Sequence, residues 1–173
     1  ANAKLNLSLD IIGKRDDGKI TVSVDVADVP SGEKNLAFKA AKCFFEASGL
    51  KVFGASINIK KRIPVFSGLG GGSSDAAAVL RALNFLCGMT LYPEELVRVA
   101  AKVGSDVPFC VNGGTAIAEG RGEVLTTLPP LPPLPALICV PAFRCSTPEL
   151  FARADSSPPL RRPDNKALAN AAM

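Results

Sequence analysis

The stretch Ile63-Pro-Val-Phe-Ser-Gly-Leu-Gly-Gly-Gly-Ser-Ser-Asp-Ala-Ala-Ala-Val-Leu80 puts four glycines into the five positions from Gly68 to Gly72, then two serines, then a helix signal. Glycine lets a backbone curl through positive φ and approach another group closely, at an entropic cost on folding. Ser73 or Ser74 is placed to cap the helix by accepting a bond from a free N–H. Beyond them Ala76, Val79, Leu80, Leu83 and Leu86 recur at helical spacing. A loop of bare amides therefore meets the positive end of a helix dipole, which suits an anion and above all a phosphate. The plainer alternative is a glycine-rich turn before an ordinary helix. Two familiar phosphate motifs do not fit. No Lys follows the last glycine, and the third glycine of Gly-x-Gly-x-x-Gly would fall on Ser73.

Upstream, Leu5, Leu7, Leu9 and Ile11 alternate with Lys4, Asn6, Ser8 and Asp10, the pattern of a half-buried strand. Lys4, Asn6 and Ser8 then share its polar face. Lys4 alone reads as a solvated strand-end lysine, whereas Asn6 is a residue that strands disfavour. Gly13 to Gly18 reads as a charged turn, and Ile20, Val22, Val24 and Val26 as a second strand. A helix is expected from about Asn35 to Ser48, with Ala37, Ala40, Ala41, Phe44 and Phe45 inward and Gly49 as its stop. Ile57, Ile59 and Ile63 mark a third strand that leads into the glycine loop and sets Lys61 beside it.

Downstream, Pro93 with Glu94 and Glu95 opens a helix through Leu96, Val99, Ala100 and Val103 that Gly104 ends. Val107, Phe109 and Val111 alternate like a strand, and Asn112-Gly113-Gly114 signals a hairpin returning through Thr115 to Glu119. Asp106 precedes that strand on a short loop, and taken alone it reads as a capping aspartate. Thr127 to Pro135 is a proline-rich, stiff connector. Ala136 to Val140 reads as an apolar strand. Thr147 and Pro148 open a helix through Leu150, Phe151 and Ala154. The tail after Ser156 is polar and proline-rich, with a weak helix over 166–173.

Composition narrows the function. The chain of 173 residues is 47% hydrophobic, enough for one proper core, and its formal net charge is +4. The short basic runs and the absence of Trp give no nucleic-acid footprint. No apolar run is long enough to span a bilayer, and the start is not signal-like. The five cysteines (Cys43, Cys87, Cys110, Cys139 and Cys145) have neither metal nor redox spacing and read as buried thiols of a cytoplasmic protein. The chain has no histidine, which excludes a Ser-His-Asp hydrolase, a Cys-His protease and a His-ligated zinc site. Proton transfer falls to Asp, Glu, Lys, Tyr92 or Cys.

Set side by side, Ala3-Lys-Leu-Asn-Leu7, Arg15-Asp-Asp-Gly18, Glu33-Lys-Asn-Leu36, Pro64 to Ala77, Gly104 to Phe109, Gly114-Thr-Ala-Ile-Ala-Glu-Gly120 and Ser146-Thr147 resemble the GHMP kinases. Within them the pattern is similar to the branch that phosphorylates a cytidine-diphosphate-linked methylerythritol in non-mevalonate isoprenoid synthesis. The pieces occur in the family's order and cover most of residues 2–155.

The resemblance implies an α/β fold of the two-layer α+β kind. Residues 1–135 would be the N-terminal ATP-binding domain, and 136–173 the beginning of a C-terminal domain whose rest is absent. It implies ATP as donor, magnesium as companion ion with no metal ligand assigned among these residues, and a small-molecule acceptor. It implies no nucleic acid and no membrane, and a monomer or homodimer. The triphosphate loop would be Pro64, Val65, Phe66, Ser67 and Gly68 followed by Leu69, Gly70, Gly71, Gly72, Ser73 and Ser74. Lys61 and Asn35 match positions near the nucleotide, Asn35 at the adenine. Lys4 and Asp106 match the catalytic pair, Asn6 a substrate contact, and Phe151, after Thr147, an aromatic that stacks on cytosine.

Two departures stand out. The family continues Asp-Gly with Tyr-His and a strand-rich stretch, whereas here Lys19 follows Gly18 directly, so a break in the backbone is expected between them. The family also runs on past Met173. The competing readings are another GHMP kinase acting on mevalonate, homoserine or a sugar, and a truncated, non-catalytic nucleotide-binding module. In the kinase reading, the amides of Leu69 to Ser74 hold the triphosphate, and Lys61 and magnesium neutralise it. Asp106 takes the acceptor's proton, and Lys4 stabilises the oxyanion and keeps Asp106 ionised.

Overall fold

The computed structural model describes residues 9–15, 17–51, 54–133, 135, 137–139, 147–156 and 167. Three strands form the first sheet: β1 (Leu9–Arg15), β2 (Ile20–Val24) and β3 (Gly54–Ile59), in the order β1-β3-β2. β3 is central, antiparallel to β1 and parallel to β2. The parallel pair needs a crossover, which α1 (Leu36–Ser48) supplies. On β3, Ala55, Ile57 and Ile59 are buried while Asn58 is exposed. On the open face Ser23 Oγ donates to Asn58 Oδ1 at 2.8 Å, so the polar side chains pair across strands.

Helices α2 (Gly71–Leu86), α3 (Pro93–Val103) and α4 (Val107–Asn112) complete the helical layer, with α1 packed on α2 and α3, and α4 on α2 and α3. The core between the layers is one cluster that includes Val22, Phe44, Ile57, Ile59, Val79, Leu80, Leu83, Val99 and Val107. A two-stranded antiparallel sheet follows, β4 (Thr115–Glu119) with β5 (Val124–Leu128), and then helix α5 (Thr147–Ser156). This is the expected α+β two-layer arrangement. Among the described residues no helix is long and apolar enough to cross a membrane.

Several local expectations are corrected. β1 runs through Arg15, so Gly13 to Arg15 is strand and not turn; its register on β3 slips between Ile11 and Gly13, a bulge that lets the strand continue. The expected strand over Leu5 to Ser8 lies outside the described residues. Between β1 and β2 the chain turns at Gly18, which takes φ 69°, and Lys19 N–H donates to Asp17 Oδ1 at 3.1 Å.

Val107 to Val111 is helix, because Pro108 sits in the first helical turn, where its missing N–H costs nothing, and Val107 and Cys110 share the buried side at a helical interval. Asn112-Gly113-Gly114 therefore ends α4, and β4 pairs forward with β5. Leu86 is exposed at the end of α2, beyond the last buried turn, and Ile63 is buried in the loop after β3 and not in the strand. Residues 137–139 form no strand, and Leu137 is 92% exposed. Of the thiols, Cys110 is buried, Cys43 and Cys87 half-buried and Cys139 exposed. Burial, with help from Glu46, pushes the Cys43 thiol up from its ordinary value, which keeps it protonated and unreactive.

The turn between α2 and α3 is held from inside the core. Asn84 is buried; its Nδ2 donates to Leu91 O and its Oδ1 accepts from Leu91 N–H, both at 2.9 Å. Asn84→Ala strands both groups of Leu91 and should lower unfolding stability by about 3 kcal/mol in urea titration. A loss below about 0.5 kcal/mol would show that the clamp is dispensable.

Candidate active site

The segment between β3 and α2 curls tightly. Ser67 Oγ donates to Pro64 O at 2.7 Å, and Leu69 N–H donates back to Ser67 Oγ at 3.4 Å. Gly68 and Gly70 take φ of 72° and 65°, and Phe66 takes 59°, a conformation uncommon for a bulky residue. Backbone strain of this kind persists where surrounding structure dictates it. Gly70 is the N-cap of α2 and brings no side chain to the helix start. The capping role expected of Ser73 or Ser74 is thus not taken: both lie inside the first turn, and Ser74 N–H makes the first helical bond, to Gly70 O at 3.0 Å. The N–H groups of Gly71, Gly72 and Ser73 come before that bond and have no acceptor within the helix. Lys61 and residues 64–72 line an open pocket of about 100 Å³ at the start of the helix.

Lys61 is held at both ends. Its N–H donates to Asp25 Oδ1 at 2.8 Å, just after β2, and its ammonium sits 2.6 Å from Asp75 Oδ2. The side chains of the pair are only 6% and 7% exposed. A Cβ added at Gly71 would lie 3.1 Å from Lys61 Nζ and 3.3 Å from Ile63 Cβ. The ammonium is therefore packed directly under the first residue of α2, where a cation meets the unfavourable end of the helix dipole. Asp75 supplies the countercharge. Its part was missed in the sequence, where it reads as a helix-interior residue; the available signal is a lone acid among the buried residues Ser74, Ala76 and Ala77.

The remaining candidates are placed less closely. Asn35 is buried at the N-cap of α1; its Oδ1 accepts from Ala37 N–H and its Nδ2 donates to Pro30 O, each at 2.8 Å. Both polar atoms are thus occupied by the chain itself. α1 still borders the loop, since a Cβ on Gly72 would meet Leu36 Cδ1 at 3.4 Å. Asp106 is exposed at the N-cap of α4, and its carboxylate makes no capping bond, so the role it suggests in isolation is not the one it plays. Its carbonyl accepts from Cys110 N–H at 3.2 Å, which fixes its backbone to α4, the helix that packs on α2. Thr147 and Phe151 lie one turn apart on α5. Lys4 and Asn6 lie outside the described residues. Among the described residues no cluster of three or more His, Cys, Asp or Glu could hold a metal ion.

A curled glycine loop opening a helix on a β-α-β layer is the arrangement of the GHMP kinases, and residues 35–114 match the model of the GHMP kinases N-terminal domain. The relatives narrow the family. The chain is 41% identical to a 4-diphosphocytidyl-2-C-methyl-D-erythritol kinase of Clostridium botulinum (strain Alaska E43) over 192 aligned positions, covering 97% of the chain and 68% of that protein. It is 43% identical to the enzyme of the same name from Carboxydothermus hydrogenoformans, covering 88% of the chain and 61% of the relative. A crystal structure of 4-(cytidine 5'-diphospho)-2C-methyl-D-erythritol kinase superposes with TM-score 0.68 at 35% identity, over 95% of this chain and 56% of that one. A homoserine kinase from Cytophaga hutchinsonii shares the fold at TM-score 0.63 and 20% identity.

The chain belongs to the 4-diphosphocytidyl-2-C-methyl-D-erythritol kinase family of GHMP kinases. It spans little more than half of the solved kinase, and 61–68% of the two curated relatives. The 192 aligned positions exceed its 173 residues, so the Clostridium protein carries residues with no counterpart here.

The pocket predicts its own sensitivity. Gly71→Val forces the Lys61 ammonium and Ile63 away from the helix start and puts a side chain over its free amides. ATP affinity should fall about a hundredfold in a folded protein, equivalent to two lost charge-assisted hydrogen bonds. Unchanged affinity by calorimetry would remove the loop from the nucleotide site.

Proposed function

We propose that the intact protein transfers the terminal phosphoryl group of ATP to the 2-hydroxyl of 4-diphosphocytidyl-2-C-methyl-D-erythritol, a step of non-mevalonate isoprenoid synthesis. The observation that carries this reading is the cradle at the start of α2: amides with no acceptor in the helix, a tightly curled glycine loop and a fixed lysine beneath. It supports residues 1–135 as the ATP-binding lobe. The stretch that the family carries and this chain lacks falls, in this reading, after Gly18. The homoserine and mevalonate kinase alternatives share the fold at 20% and 15% identity, against 35–43% for kinases of the cytidine-linked substrate.

Phosphoryl transfer asks the protein for positioning and charge stabilisation more than for covalent chemistry. The amides of Gly71, Gly72 and Ser73 receive phosphate oxygens, and the helix dipole favours the charge they bring. Lys61 acts as a fixed positive floor whose charge Asp75 partly offsets. Asn35 serves the nucleotide by fixing the start of α1 beside Gly72.

The acceptor oxygen forms a bond to the γ-phosphorus as the bond from that phosphorus to the bridging oxygen breaks, and ADP leaves. The hydroxyl proton passes to the Asp106 carboxylate, while Lys4 stabilises the oxygen that loses it. Asn6, Thr147 and Phe151 hold the acceptor, with Phe151 stacked on cytosine. The sparse carboxylates suit a magnesium ion that rides on phosphates and takes few protein ligands. When bound, the ion would neutralise charge on the phosphates at the cradle; Asp75 stays committed to Lys61.

Asp106→Asn keeps the shape of the residue and removes its charge. Turnover of the cytidine-linked substrate should fall by about two to four orders of magnitude, with ATP binding nearly unchanged. Turnover within a few-fold of the parent would exclude Asp106 as the proton acceptor. Phe151→Ala should raise KM for the cytidine-linked substrate by the loss of a stacking contact of about 1–3 kcal/mol. An equal loss for ATP would point instead to a packing role.

A further inference from the structure

The turn joining β4 to β5 leans on the segment that carries Asp106. Gly122 in that turn has φ 112°, and a Cβ built on it would stand 3.1 Å from the main-chain oxygen of Ser105, the residue before Asp106. The neighbour is backbone, so it cannot swing aside as a side chain would. The turn is internally braced. Gly122 N–H donates to Glu119 O at 3.0 Å, and Arg121 N–H donates to Glu123 Oε2 at 2.8 Å. On its other side the Gly104–Asp106 segment is fixed by Val107 N–H donating to Gly104 O at 3.2 Å and by the bond from Cys110 N–H to Asp106 O.

We propose that the β4–β5 turn is the buttress that sets the position of Asp106 for phosphoryl transfer, with Gly122 as its positioning residue. The proposal rests on Asp106 being the proton acceptor. Asp106 is exposed and its carboxylate makes no capping bond, so main-chain support is what determines where it points. One side of that support is α4. The other is a contact that an added Cβ would crowd at 3.1 Å, so that the Ser105 main chain would have to give. A displacement of the order of one ångström in a reacting group costs catalysis heavily while leaving distant binding intact.

The test compares three single variants of the intact gene product with the parent, under steady-state kinetics in ATP and in the cytidine-linked substrate. Gly122→Ala pushes Ser105 and should lower kcat by about tenfold or more, with KM for ATP within about twofold. Gly120→Ala is the control. Gly120 also has a positive φ, of 67°, but its added Cβ meets only the Glu123 side chain, at 2.8 Å. It carries strain in the same turn without touching Ser105; because its Cβ displaces the Glu123 brace, its kcat should fall no further than that of Glu123→Ala, about threefold. Glu123→Ala removes the brace on Arg121 without adding an atom and should lower kcat in the same direction, by about threefold. This variant decides the matter if Gly122→Ala does not fold.

Equal losses in Gly122→Ala and Gly120→Ala would overturn the proposal, since strain and not the Ser105 contact would then be the cause. So would an unchanged kcat in Gly122→Ala or, failing that, in Glu123→Ala. Asp106→Asn run alongside separates the two failures. If it keeps its turnover, the assignment of Asp106 fails; if it loses turnover while Gly122→Ala does not, only the buttress fails.

Discussion

A buried ammonium sits against the positive end of a helix, and the rest of the site is arranged to make that tolerable. Lys61 is drawn out of water and packed under Gly71, where neither burial nor the dipole of α2 favours it. Asp75, one turn into the same helix, lies 2.6 Å away and supplies the opposite charge. Removing either partner of a buried pair typically costs about 3–5 kcal/mol, because the other is left uncompensated. The pair thus ties the end of β3 to the first turn of α2, across the base of the glycine loop. The loop holds Phe66 at a φ of 59°, and the anchor fixes both ends of the segment that must sustain it.

The anchor in turn depends on the layer beneath. Asp25 follows β2 and holds the Lys61 main chain, while Asp25 N–H donates to Ile59 O at the end of β3. The parallel pairing of β2 with β3 therefore fixes where Lys61 begins, and α2 fixes where its ammonium ends. Ala76, Ala77, Val79, Leu80 and Leu83 seat α2 in the common core, so the amides at its start are presented by a rigid element. Small residues near the start of α2 let α1 come close, and Leu36 reaches the position of Gly72.

The elements with clear end signals were legible in the sequence. α1 begins after Asn35 and ends at Gly49, and α3 has Pro93 at its start and Gly104 at its end, as their capping residues announced. The tight curl of the glycine loop and the helix it opens were legible because four glycines in five positions have few other uses. The failures have physical causes. Val107, Phe109 and Val111 alternate, but three positions are too short a run to separate period 2 from a helix that Pro108 starts. Gly13 reads as turn chemistry, yet a bulge absorbs the irregularity and the strand continues. Asp75 was invisible because its meaning lies in a contact with a lysine fourteen residues earlier. The approach of Gly122 to the Ser105 main chain is likewise a tertiary matter, which a single sequence does not display.

The most direct measurement of the phosphate cradle is a crystal structure of the intact protein with a non-hydrolysable ATP analogue. Phosphate oxygens should lie within about 3 Å of the N–H groups of Gly71, Gly72 and Ser73, with Lys61 still beside Asp75 beneath them. A triphosphate bound elsewhere, with those amides facing only water, would contradict the assignment of the glycine loop.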